Sequence, residues 1–165
     1  MTPSATASLA IVPVLVVAGL VGAAGPRPPV SSPSPRPEPS VGEAVRVLAT
    51  WDGRRAAAYS TGEPGTLRSL YVRSSSAGSA DVRLLREYAA HGLRVHGLRM
   101  QVFSLRVLVS RNGVLRIAVV DRVGGGWVVG RRQCWPMPVD RPAERMLELR
   151  RGVGTWRVAS VSVRG

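Results

Sequence analysis

Hydrophobic positions along this chain change rhythm three times. They run uncharged from Leu9 to Gly25, thin to Val30 alone across 26–40, recur every three or four residues from 41 to about 91, and alternate from 94 onward. Each rhythm predicts a different kind of structure. The first run is 17 residues long, at the lower limit for crossing a bilayer, and predicts a signal peptide or transmembrane anchor over 1–25. Residues 26–40 alternate Pro with Ser, Arg and Glu. Pro fixes φ and donates no backbone hydrogen bond, so this stretch reads as a disordered, extended spacer reaching roughly 40 Å. The third and fourth rhythms give one domain, 41–165, large enough for a core of its own.

Within that domain Ser40 is positioned to cap a first helix, with Glu43 three residues on. Ala44, Leu48, Trp51, Ala58 and Tyr59 mark its buried face; Gly53 weakens its middle, and Gly62 and Pro64 end it. Thr66–Tyr71 predicts a short second helix with Leu67 and Leu70 inward. After a loop at Ser74–Ser79, a third helix is predicted from Ala80 to His91, with Val82, Leu85, Tyr88 and Ala89 as its stripe. Alternation then predicts strands at 94–109, 114–123, 127–134, 144–151 and 155–163. Their turns fall at Asn112-Gly113, Gly124-Gly125-Gly126 and Gly152-Val153-Gly154. Three helices followed by an antiparallel meander make an α+β domain with helices on one sheet face.

The stretch Trp51-Asp52, Arg55, Tyr59, Gly62, Leu67, Leu70-Tyr71 resembles the opening of the nuclear transport factor 2-like (SnoaL-like) superfamily. The order of elements after it, ending in Trp156-Arg157-Val158, is similar too, so the resemblance spans roughly 41–163. It implies a cone: a curved sheet wrapped around helices, with a pocket at the open end. It also implies a wide choice of roles, from isomerases and small hydrolases to ligand carriers and non-catalytic parts of membrane complexes. The isomerase members use a carboxylate base beside a Tyr-containing oxyanion site, a pair that does not align onto this chain.

Charge changes the picture more than any motif. The net charge is +13, and all the basic side chains are Arg. From Ser40 to Leu93 seven Arg face five acids, whereas from Arg94 to Gly165 fourteen Arg face four, a net of +10. A basic outer sheet face is expected, carried by Arg116, Arg122, Arg150 and Arg151. Its expected partner is an anionic lipid or an acidic protein. Nucleic acid is disfavoured because no exposed aromatics interleave with the basic strands. The membrane is the partner expected for residues 9–25. Arg27 and Arg36 follow the apolar run and no basic residue precedes it, which by the positive-inside tendency argues for a cytoplasmic domain. The reading as a signal or anchor argues for a membrane-anchored or secreted, extracytoplasmic one.

Candidate chemistry is sparse. Asp121 shares parity with Leu115, Ile117, Val119 and Val123, which puts an acid on the apolar face of a strand. There it either lines the pocket as a general base or pairs with an arginine. His91 and His96 bracket the turn from helix to strand; a helix-end role or a proton shuttle at the cone mouth are their two readings. Their spacing matches no metal site, and no phosphate loop, cofactor motif or Ser-His-Asp order is present. Trp51, Tyr59, Tyr88 and Trp135 are candidates for surrounding an apolar ligand, or for plain core. The single cysteine, Cys134, is expected to be buried. The reading that results is a non-enzymatic, envelope-associated binding or scaffold domain, such as an accessory part of a membrane complex. The alternative is a small pocket enzyme, isomerase- or hydrolase-like, using Asp121.

Overall fold

Ser40 accepts a hydrogen bond from the Glu43 N–H at 3.3 Å and so starts α1 (Val41–Thr61). Gly62 ends it in the left-handed conformation (φ 73°), its N–H returning to Ala58 O at 2.8 Å. That conformation costs a glycine nothing. In this computed structural model, which describes residues 40–163, α2 (Pro64–Ser69) follows at once, with Pro64 in its first turn. A short extended segment then bridges Tyr71 to Val158 in parallel, through Val72 N to Val158 O and Val158 N to Leu70 O.

The third helix corrects the sequence reading. α3 (Ser76–Ala90) begins four residues earlier than expected, inside the predicted Ser-rich loop. Ser75 is buried and caps it, accepting from the Gly78 N–H at 3.2 Å. Gly78 would ordinarily weaken a helix, but it lies against the Tyr71 ring, where an added Cβ would meet the ring at 2.5 Å. A tertiary contact thus overrides local propensity.

The sheet runs β1 (Arg94–Arg111), β2 (Val114–Val129), β4 (Ala143–Arg151), β5 (Trp156–Val163), all antiparallel, with the three-residue β3 (Cys134–Pro136) paired to the far end of β2. The predicted turn at Gly124–Gly126 is a second correction, because β2 passes straight through it. Gly124 backs onto Gln101 and Gly126 onto Leu98, where side chains would crowd the partner strand, and Gly125 takes φ 143°. β1 bulges opposite them, around Arg99. Glycines facing bulges bend a strand pair without breaking it. The reversal comes later, where Gly130 N–H bonds Gln133 O, so the predicted strand 127–134 is divided between β2 and β3. Cys134 lies on that short edge strand and is exposed, not buried.

Helices cover one face of this curved sheet, giving the α+β cone that the pattern predicted. Leu67, Leu70 and Leu85 from the helical side meet Val95, Leu115, Ile117, Val119, Leu149 and Val158 from the sheet, each almost wholly enclosed. Among the described residues no helix is long and apolar enough to cross a membrane. The anchor and spacer expected over 1–25 and 26–39 lie outside the described residues.

Candidate functional site

α1 and α3 present small side chains to the sheet: Ala49 and Gly53 from one, Ala77 and Ala80 from the other. Small residues leave space between layers that leucines would fill. The result is a cavity of about 710 Å³, within the range of small-molecule sites. Leu98, Met100, Leu105, Val123, Leu147 and Val161 form its apolar sheet wall. Val45, Leu84 and Val102 also border it, yet they are 48%, 43% and 45% exposed, which makes them an apolar collar at the mouth.

Asp81, on α3, anchors the helical wall. Its carboxylate takes two bonds from Arg55 (Nε at 2.8 Å, Nη2 at 2.7 Å) and one each from the Tyr59 and Tyr71 hydroxyls, both at 2.7 Å. Burial alone would push this carboxyl up. The Arg55 hydrogen bonds and charge, with the two hydroxyls, outweigh that and hold it below the ordinary carboxylate value. Burial and the neighbouring Asp81 charge push both phenols up, so both keep the protons they donate. The Arg55 guanidinium also lies over the rings of Tyr59 (5.1 Å) and Trp51 (6.0 Å). Four donors on one carboxylate leave it no lone pair for chemistry, so Asp81 is a strut joining α1, the Tyr71 segment and α3.

Two further carboxylates line the cavity. Asp121 is 6% exposed and faces inward from β2, as its parity predicted. Arg145, from the inward face of β4, pairs with it. Burial raises the Asp121 carboxyl, and the charge and hydrogen bond of Arg145 oppose it without cancelling the effect. Asp121 is thus on the cavity wall and also bound to an arginine. Asp52, from α1, accepts the Met100 N–H at 3.3 Å through Oδ2, while its Oδ1 is enclosed with no hydrogen-bond partner. Burial pushes this carboxyl up, the Met100 N–H and Arg55 pull it down, and the negative charge of Asp121 adds to the rise. One more charged group borders the cavity. Arg99 sits on the bulged part of β1 with its guanidinium beside Gly125, where a Cβ would approach Nη2 to 3.5 Å.

Of the aromatic candidates, Trp51 lines the cavity, set edge-on to Tyr71 at 5.7 Å. Tyr59 is core behind the Asp81 strut, and Tyr88 packs edge-on against it at 6.4 Å. Trp135 is exposed on β3, away from the cavity lining. His91 caps α3 with Nδ1 2.8 Å from Glu87 O, and His96 is exposed opposite Trp127; neither borders the cavity. Among the described residues no three His, Cys, Asp or Glu gather as a metal-ligand set.

The basic face is partly as predicted. Arg116, Arg122 and Arg150 share the outer sheet face, in register with Glu148, Gln101 and Arg157 respectively on neighbouring strands. Arg151 does not join them, because its parity turns it to the other side, over the Trp156 ring at 5.8 Å. The face is also less free than its count of arginines suggested: Glu148 holds Arg116 (2.8 Å) and Arg150 (2.9 Å), and Gln101 holds Arg122.

No protein-family model matches the sequence, and no curated protein does. Solved structures match the fold. The intermembrane-space region of the chloroplast protein ARC6 superposes with a TM-score of 0.54 at 14% identity, over 77% of this chain and 98% of that one. Aln2 from a Streptomyces species gives 0.51 at 14%, over 78% and 93%. A protein from Catenulispora acidiphila gives 0.51 at 13%, over 74% and 91%. Identities this low speak to fold alone.

Proposed function

We propose that this cone is a non-enzymatic binding module that takes an apolar small molecule between α1, α3 and the sheet, held at a cell envelope by the segment at 9–25. The observation that carries the reading is the cavity itself: roomy, mostly apolar, and with its best-placed acids already engaged by Arg55 and Arg145. A general base needs a free lone pair aimed at its substrate; both oxygens of Asp81 are filled by donors, and one oxygen of Asp121 is held by Arg145. The envelope placement rests on the apolar run and Pro-rich spacer; the likeness of fold to an intermembrane-space region supports it. The outer sheet face, with Arg116, Arg122 and Arg150, is the surface offered to an anionic lipid or acidic protein partner.

The test uses the full chain and a neutral apolar fluorophore, N-phenyl-1-naphthylamine. Wild type should bind it, and Gly53→Leu should weaken binding about tenfold, since a side chain there enters open space in the cavity. Equal binding by both proteins, or none by either, refutes the pocket. The second reading, a pocket enzyme with Asp121 as base, draws on the buried position of that carboxyl. Asp121→Asn separates the two, because the binding reading expects probe affinity within about threefold of wild type, under ~1 kcal/mol.

A further inference from the structure

The charges around the cavity are unevenly matched. Three arginines border it, and two are engaged: Arg55 by Asp81 and Arg145 by Asp121. Arg99 has no hydrogen-bond or ion-pair partner among the described residues. It is exposed, so its guanidinium keeps its hydration and meets no desolvation penalty while unoccupied. It stands on the same stretch of β1 as Met100 and Val102, which continue the apolar wall and collar. The bulge at Arg99 turns its side chain to the cavity, and Gly125 opposite leaves room for it.

We infer that the ligand is an amphiphilic anion of the fatty-acid class, its hydrocarbon chain in the cavity and its carboxylate paired with Arg99 at the mouth. This rests on the proposed function and names the ligand chemistry of that same site. An apolar chain gains by leaving water for the wall of Leu98, Leu105, Val123, Leu147 and Val161. The collar of Val45, Leu84 and Val102 covers the part of the chain nearest the mouth. A cationic amphiphile would meet Arg99 on entry and a protein of net charge +13 on approach. A neutral alcohol would leave Arg99 as it is and gain nothing from it. A planar guanidinium at the rim is suited to a carboxylate, which it binds through two parallel N–H bonds.

Displacement of N-phenyl-1-naphthylamine from the full chain, at low salt, by dodecanoate and by dodecanol tests this. Wild type should favour dodecanoate about tenfold, the size expected of one charge-assisted contact. Arg99→Gln should remove that preference and leave dodecanol unchanged, whereas Arg131→Gln, on the loop before β3, should keep it. Dodecanol equal to or tighter than dodecanoate in wild type overturns the inference while the pocket stands. A preference that survives in Arg99→Gln overturns it as well, since the head group would then lie elsewhere. If neither compound displaces a bound probe, the fatty-acid class is wrong. If the probe itself fails to bind, the fault lies with the pocket reading.

Discussion

Asp81 and Asp52 occupy neighbouring helices and border one cavity, yet their surroundings drive them in opposite directions. Asp81 has four donors and is held below the ordinary carboxylate value; Asp52 has one, and burial pushes it up, as it does Asp121. By linkage, the stability that ionised Asp81 contributes is complete above the value it has unfolded, about 3.9, and is lost as pH falls through its lower folded value. Asp52 and Asp121 work the other way. Their contribution is present below the unfolded value and is lost as pH rises through their raised folded values. Asp81→Asn should therefore cost about 3–5 kcal/mol at pH 7, because it leaves Arg55 buried without a counter-charge. The gap between variant and wild type should begin to narrow below about pH 4, where Asp81 of the unfolded chain takes up a proton that the folded protein resists, and should close as pH falls through the lower folded value. Urea unfolding at pH 7 and pH 3 measures both, and a gap that stays constant with pH would show that Asp81 is not the acid-sensitive strut.

The elements were legible where hydrophobic rhythm alone determines them. α1 and its caps, the stripe of α3, the hairpin at Asn112-Gly113 and the inward parity of Asp121 all follow from spacing and turn chemistry. The failures share one cause, glycines whose reason lies in a distant part of the chain. Gly124–Gly126 looks like a turn because the sequence does not reveal that β1 bulges against it. Gly78 looks like a loop because Tyr71, which fills the space a Cβ would need, comes from before the helix. The site was half visible by the same logic. Asp52 and Arg55 continue the α1 face at Leu48 plus four and plus seven, and Asp81 precedes Leu85 by one turn. Charged residues on an apolar stripe were the available signal, while their partners could come only from tertiary structure. Gly78→Ala tests the packing account. A free helix would gain from the change, but here the methyl collides with the Tyr71 ring and should destabilise by about 1–3 kcal/mol. Thermal melting reads the sign directly, and a rise in melting temperature would refute the contact.

Taken whole, the molecule separates its two kinds of charge. Around the cavity, acids and arginines pair and nearly cancel, so the helical half carries little excess. The sheet half, from Arg94 onward, has fourteen arginines against four acids. On its outer face Glu144 and Glu148 engage Arg106, Arg116 and Arg150, while Arg122 and Arg157 add further charge with no ion pair of their own among the described residues. Two salt effects then compete. Screening weakens the exposed ion pairs, each worth at most about 1 kcal/mol. It also weakens repulsion among the surplus arginines, which opposes the compact state. Because the surplus outnumbers the pairs, repulsion should dominate. Raising NaCl from about 0.05 to 0.5 M, which shortens the screening length from roughly 14 to 4 Å, should raise the melting temperature by a few degrees. The rise should shrink in a variant that removes surplus charge without touching an ion pair, such as Arg122→Gln with Arg157→Gln. A melting temperature that falls with salt would mean that the outer-face pairs, rather than the unbalanced arginines, set the electrostatic contribution to stability.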